Sequence, residues 1–231
     1  MALPSPPPAA PRRFDVCIRG AGVVGQTLAL LLARERLRVA LVAPPRPASA
    51  APDVRAYAIN TAARGLLQSL RAWPDDAGGT APPVTPVTRM EVHGDDGGDL
   101  SFSANEQGAE ALNWIVDVPA LEQRLADAVG FQGGIERMST PAPAALTVVC
   151  EGKRSSTRDE LGLEFDVRPY PHKAIAARLT TEQPHGGVAR QWFTRGEILA
   201  LLPLGGAQGN SVALVWSVPA QQSEEWLAAD P

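Results

Sequence analysis

Residues 14–43 read FDVCIRGAGVVGQTLALLLARERLRVALVA, and this stretch decides the fold. An apolar run at 14–18 leads into Gly20-Ala21-Gly22-Val23-Val24-Gly25. A helix-forming stretch follows to about Arg36, and a second apolar run returns at 39–42. Strand, glycine turn, helix and strand within about thirty residues are the dimensions of a βαβ dinucleotide-binding unit. In such a turn Gly20 permits the tight bend, Gly22 lets the backbone approach a pyrophosphate, and Gly25 lets helix and strand pack closely. The helix start adds unpaired N–H groups and the positive end of its dipole.

One expected part is missing. A unit of this kind ends its second strand with Asp or Glu, which hydrogen-bonds the ribose of the adenosine half. Here Val42 is followed by Ala43-Pro44-Pro45-Arg46, and no acid occurs between Glu35 and Asp53. Two readings follow: a flavin site with altered ribose contacts, or an NADP site in which Arg46 meets the 2′-phosphate.

Outward from this unit, 231 residues suffice to bury a sizeable core as one large domain or two small ones. With 21 basic against 25 acidic side chains there is no polyanion-binding signature, which argues against nucleic acid as a partner. Cys17 and Cys150 both fall in or beside apolar runs and read as buried thiols. Their spacing fits neither a metal site nor a disulfide framework, which suits a reducing cytosol. Residues 1–12 are rich in proline and lack the apolar core of a signal peptide, so they read as a disordered tail. Residues 28–32 are apolar, but the helix holding them is too short to span a bilayer.

Further along, Ala62, Leu66, Leu67, Leu70 and Trp73 recur at helical spacing, predicting a helix over 61–73 with Asn60 or Thr61 as N-cap. Arg55, just before it, is either a surface charge or a phosphate clamp. Residues 88–92 and 100–102 alternate around a glycine-rich turn at 94–98 and predict a β-hairpin. Asp95, Asp96 and Asp99 lack the spacing and terminal Glu of a calcium loop, so they read as a solvated turn. A strand is predicted at 112–116, a helix at 119–129, and a strand from Ala144 to Cys150 that runs into Glu151-Gly152. From Glu164 onward, four strands follow at 174–179, 187–193, 198–203 and 211–218, and a last helix starts near Ser223. His93, His172 and His185 have no second ligand at useful spacing and read as strand-end or turn residues.

Several of these segments together resemble the flavin-dependent aromatic hydroxylases of ubiquinone biosynthesis, the family that includes the 2-octaprenyl-6-methoxyphenol hydroxylases. RAYAIN at 55–60 with LLQSLRAW at 66–73 is similar to the segment after that family's first βαβ unit. Glu151-Gly152 followed by Ser155 and Arg158 is similar to its second fingerprint, with Glu151 in place of the usual Asp. HGGVARQWF at 185–193, GEILALLPL at 196–204 and Val215-Trp216-Ser217 resemble its substrate-domain sheet.

The resemblance implies an α/β fold in which an FAD-binding βαβ (Rossmann-like) domain carries an inserted, mostly antiparallel β-sheet substrate domain, like para-hydroxybenzoate hydroxylase. It implies an FAD domain over 13–75 and 113–163, and a substrate domain over 76–112 and 164–231. Cofactor contacts are implied at Gly20, Ala21, Gly22, Val23, Val24 and Gly25, at Arg55, and at Glu151, Gly152, Ser155 and Arg158. No catalytic acid or base and no metal is implied, since the cofactor carries the hard chemistry. NAD(P)H would reduce FAD, and O2 would then hydroxylate an electron-rich, polyprenylated phenol. The chain would be cytoplasmic, with peripheral association at the inner membrane or with other ubiquinone-biosynthesis proteins. Family members continue into a Gly-Asp motif, so a longer parent carrying one beyond residue 231 is expected. Two other classes stay open: an NADP-dependent reductase, and a non-catalytic assembly subunit.

Overall fold

The computed structural model describes residues 14–43, 53–74 and 82–228. Arg46 and the residues 1–12 read as a tail lie outside the described residues. In chain order the elements are β1 (Phe14–Arg19), α1 (Val23–Arg34), β2 (Val39–Val42), β3 (Ala56–Ile59), α2 (Thr61–Ser69), β4 (Val84–Val87), β5 (Arg89–His93) and β6 (Asp99–Ser103). There follow β7 (Asn113–Asp117), α3 (Val118–Gly130), β8 (Ile135–Met138), β9 (Ala144–Val149) and α4 (Ser156–Glu160). The last are β10 (His172–Thr180), β11 (Val188–Thr194), β12 (Glu197–Leu204), β13 (Ser211–Pro219) and α5 (Ala220–Ala228). The chain divides into two compact units, Met1–Ala48 with Leu125–Glu164, and Ser49–Arg124 with Phe165–Pro231.

The first unit holds a parallel sheet in the order β8-β2-β1-β9. All four residues of β2 are buried, as a strand flanked by neighbours in a parallel sheet requires. Cys17, Ala40 and Val42 form a core against which Phe14, Met138 and Ala144 pack. The helix α1 stops at Arg34 because Arg36 turns left-handed at φ 62, and the Arg36 and Leu37 N–H groups fold back onto the Ala33 and Leu32 carbonyls at 3.0 and 3.1 Å. Cys17 is buried as expected, but Cys150 is only half-buried, because it stands just past the end of β9. That partial burial still raises its thiol pKa.

The second unit holds a six-stranded sheet, β10-β13-β12-β11-β5-β6, antiparallel except where β5 and β11 run parallel. A three-stranded antiparallel sheet, β3-β7-β4, accompanies it. Val87 and Ile115 of the small sheet pack with Ala189, Leu204 and Ala213 of the large one. Residues 53–74 and 113–124, expected with the βαβ unit, group here because β7 pairs with β3 on one side and with β4 on the other. Asn60 caps α2, its side chain accepting from the Ala63 N–H at 2.8 Å. The helix ends at Ser69 rather than Trp73, since Arg71 enters the left-handed region at φ 57 and the Ala72 N–H returns to the Leu67 carbonyl at 2.9 Å.

The hairpin forms as the alternation predicts. His93 Nδ1 lies 2.7 Å from Asp99 and its ring stacks on Trp192 at 5.5 Å. His172 Nε2 meets the Gly196 carbonyl at 2.9 Å. His185 lies between the Gly187 N–H (3.0 Å) and the Leu204 carbonyl (2.7 Å). Among the described residues no helix is long and apolar enough to cross a membrane.

Candidate functional site

The strand order in the first unit locates a crevice before any side chain is considered. From β1 the chain passes through α1 to β2 on one side, while β9 pairs with the other side of β1. Ligands of open parallel sheets bind outside the carboxyl ends of the strands where the order reverses in this way. The residues there are Gly20 to Gly22 after β1 and Cys150 to Gly152 after β9.

Each glycine of the turn meets a different surrounding. Gly20 has φ +110, and a β-carbon there would lie 2.4 Å from the Cys150 carbonyl oxygen and 2.8 Å from the Glu151 nitrogen. A β-carbon on Gly25 would lie 1.9 Å from the Gly20 carbonyl oxygen, so helix and turn touch through bare backbone. At Gly22, by contrast, no described atom beyond its own chain neighbours lies within 4 Å of the same position. Gly20 and Gly25 are therefore closed by packing, and Gly22 faces open space. Gly22 is the N-cap of α1, with no side-chain cap and no acid in the first turn among the described residues. Val24 in that turn is 69% exposed. The positive end of a twelve-residue helix thus meets open space beside bare backbone, a setting suited to a phosphate.

Across the crevice, Glu151 anchors a compact polar network. Its carboxylate accepts from Ser155 Oγ (2.6 Å), Thr157 Oγ1 (2.7 Å) and the Thr157 N–H (3.0 Å), with Arg19 Nε at 3.4 Å. Burial opposes ionisation, but the hydrogen bonds from Ser155 and Thr157 and the Arg19 charge outweigh it and hold the carboxyl down at about 2. Ser155 also caps α4, accepting from the Arg158 N–H at 3.4 Å. The Glu151 and Ser155 side chains, expected at a cofactor, are thus turned to each other and to Thr157. What this turn presents outward is Gly152, at φ +70 with open space where a β-carbon would be. Arg158 donates from Nη2 to the Lys153 carbonyl at 2.5 Å, closing the turn on itself.

Arg19, at the end of β1, and Glu160, in α4, escaped the sequence reading. Arg19 donates to both oxygens of Glu160, at 2.7 and 3.0 Å, and this pairing raises the arginine pKa and lowers that of the glutamate. The pair spans 141 positions of sequence, which no local pattern reveals.

Arg55 belongs to the second unit. Its Nε and Nη2 hold Asp53 at 2.8 and 2.5 Å, Nη1 reaches the Tyr57 hydroxyl at 3.2 Å, and Glu122 stands 3.5 Å away. The Asp53 hydrogen bond raises the guanidinium pKa further, and the same contact lowers that of Asp53. A phosphate drawn to Arg55 would therefore meet a guanidinium already flanked by carboxylates. Among the described residues, no cluster of three His, Cys, Asp or Glu side chains could hold a metal ion.

No protein-family model matches the chain. It is 27% identical over 229 residues to the ubiquinone hydroxylase UbiL of Rhodospirillum rubrum, covering 88% of this chain and 51% of that protein. It is also 27% identical to the 3-demethoxyubiquinol 3-hydroxylase of Escherichia coli, covering 87% of this chain and 56% of that one. The chain thus spans about half the length of the curated relatives it matches. Among solved structures, PqsL of Pseudomonas aeruginosa, described as a probable FAD-dependent monooxygenase, superposes with TM-score 0.72 at 19% identity, covering 94% of this chain and 64% of that one. The p-nitrophenol 4-monooxygenase PnpA of Pseudomonas putida does so with TM-score 0.69 at 14% identity, covering 93% and 61%. The chain has the fold of the FAD-dependent, para-hydroxybenzoate-hydroxylase-like monooxygenases, and its sequence is similar to that of ubiquinone hydroxylases.

Proposed function

We propose that this chain is the FAD-cradling and substrate-sheet portion of a monooxygenase that hydroxylates an aromatic ring. The observation that carries the reading is the contrast within the glycine turn. Gly20 and Gly25 are sealed by backbone packing, whereas Gly22 opens at the sheet's switch point onto the uncapped start of α1. A diphosphate fits this arrangement, since its oxygens can take N–H groups that no described side chain caps. The residues that would hold it are Gly20 to Gly25, with Gly152 supplying backbone from the facing turn. Arg55, in the second unit, is the contact with the flavin's phosphate and ribityl portion that the family resemblance implies.

FAD held by Gly20 to Gly25 and Gly152 would supply the redox chemistry, with NAD(P)H as reductant and O2 as oxidant, one oxygen going to the ring and the other to water. The chain's own residues bind and orient the cofactor, and the sheet positions the ring away from water. A polyprenylated phenol of ubiquinone biosynthesis is the substrate favoured by the similarity to the two ubiquinone hydroxylases. An apolar substrate of that kind favours work beside a membrane; a cytoplasmic location, with peripheral membrane association or with other proteins of the pathway, is part of the same proposal.

Flavin fluorescence titration of the purified chain tests the cofactor reading. Binding of FAD that is lost in Gly22→Asp, with the fold retained, supports it; equal binding by both proteins contradicts it. For the activity, the FAD-loaded, full-length protein given NAD(P)H, a polyprenylphenol and isotopically labelled O2 should place label on the ring. NAD(P)H oxidation without labelled product would contradict hydroxylation.

A further inference from the structure

We propose that Arg178, in β10, is a positioning residue for Arg55, an inference that rests on the reading of Arg55 as a cofactor contact. The Arg55 peptide is held from two directions. Its carbonyl accepts from the Val118 N–H at 3.3 Å, at the junction of β7 and α3, and from Arg178 Nη2 at 3.2 Å. Arg178 also pairs with Asp117 through Oδ1. The other oxygen of Asp117 accepts from the Ala120 N–H at 3.2 Å, fixing the first turn of α3. Arg178 therefore ties a strand of the large sheet to the β7–α3 corner and to the loop that carries Arg55.

The electrostatics give the residue a second effect. Asp53, Asp117 and Glu122 set carboxylates against the guanidinium groups of Arg55 and Arg178. Without Arg178 these side chains would lose one positive charge, and the Arg55 carbonyl one donor. An incoming phosphate would then meet stronger repulsion, and Arg55 would be drawn more firmly into its carboxylates. Nothing in the sequence flags this. Arg178 reads as one polar residue in an alternating strand, and its partners stand 61 and 123 positions away.

Two readouts separate this proposal from the one beneath it. The first needs no cofactor: the Arg55 Nε–H resonance in the ¹⁵N spectrum of the 231-residue chain, assigned with Arg55→Lys. It should shift in Arg178→Gln and also in the double variant Asp117→Asn/Arg178→Gln, in which no carboxylate is left unpaired. Arg178→Lys, which keeps the charge but not the forked donor, should restore it in part. An unchanged Arg55 resonance in the double variant would overturn the proposal, since Arg178 would then merely neutralise Asp117. The second readout is FAD affinity, which should fall about tenfold in Arg178→Gln, the loss of one charge-assisted hydrogen bond. If Arg55→Gln weakens FAD and Arg178→Gln does not, the positioning role is wrong. If Arg55→Gln leaves FAD binding unchanged, the cofactor role of Arg55 fails, and the resonance alone decides whether Arg178 orders it.

Discussion

Gly20 leaves no room for a side chain against Cys150, since a β-carbon would stand 2.4 Å from the Cys150 carbonyl oxygen. Because Gly20 also holds φ +110, Gly20→Ala would suffer both a clash and backbone strain. We expect it to lose roughly 3 kcal/mol or more by chemical denaturation. Gly22→Ala, at φ −77 with open space around it, should stay within about 1 kcal/mol of the parent. Similar losses for the two variants would contradict the separation of a packing glycine from a ligand-facing one.

Glu151 makes stability depend on acid in a defined direction. Its carboxyl is held at about 2 in the folded chain against an ordinary 4.5, so its contribution is complete above about pH 4.5 and drains away as pH falls through about 2. Glu151→Gln cannot accept the same set of donors as an anion. We expect it to cost about 1–3 kcal/mol at neutral pH and to flatten the pH dependence of unfolding over that window. An unaltered acid limb in denaturation curves recorded across this range would show that the network does not stabilise the fold.

Much of this architecture was legible because apolar runs and glycines announce it. The β1-turn-α1-β2 unit, the hairpin of β5 and β6, and the four late strands all appear near their predicted places. What stayed hidden has physical causes. The strand β8 reads IERM, a half-exposed edge of the parallel sheet with no apolar run. The strand β4 contains Pro86, which argues against a strand until β4 is seen at the edge of its sheet. Glu151 and Ser155 were readable as motif residues. Their turning inward depended on Thr157 and Arg19, the latter lying at the end of a distant strand.

Arg64 lies over the Trp114 ring, 4.2 Å from its centroid, with the Trp73 ring centroid at 5.8 Å. Trp114 is buried, so this cation–π contact is partly shielded from water, whereas the Glu110 partner is largely exposed and adds little. Arg64→Ala should cost roughly 1–2 kcal/mol and shift tryptophan emission, while Glu110→Ala should change stability by less than about 0.5 kcal/mol. Equal costs from the two variants, measured by urea denaturation, would assign the energy to the ion pair instead.

The central claim, that the crevice between β1 and β9 receives the diphosphate of FAD, is tested most directly by following backbone amide resonances of the chain as FAD is added. Shifts should concentrate at Gly22 to Gly25 and at Gly152, be abolished in Gly22→Asp and be far smaller with NADP⁺. Amides at those positions that stay unmoved by millimolar FAD, or that respond to NADP⁺ instead, would contradict it.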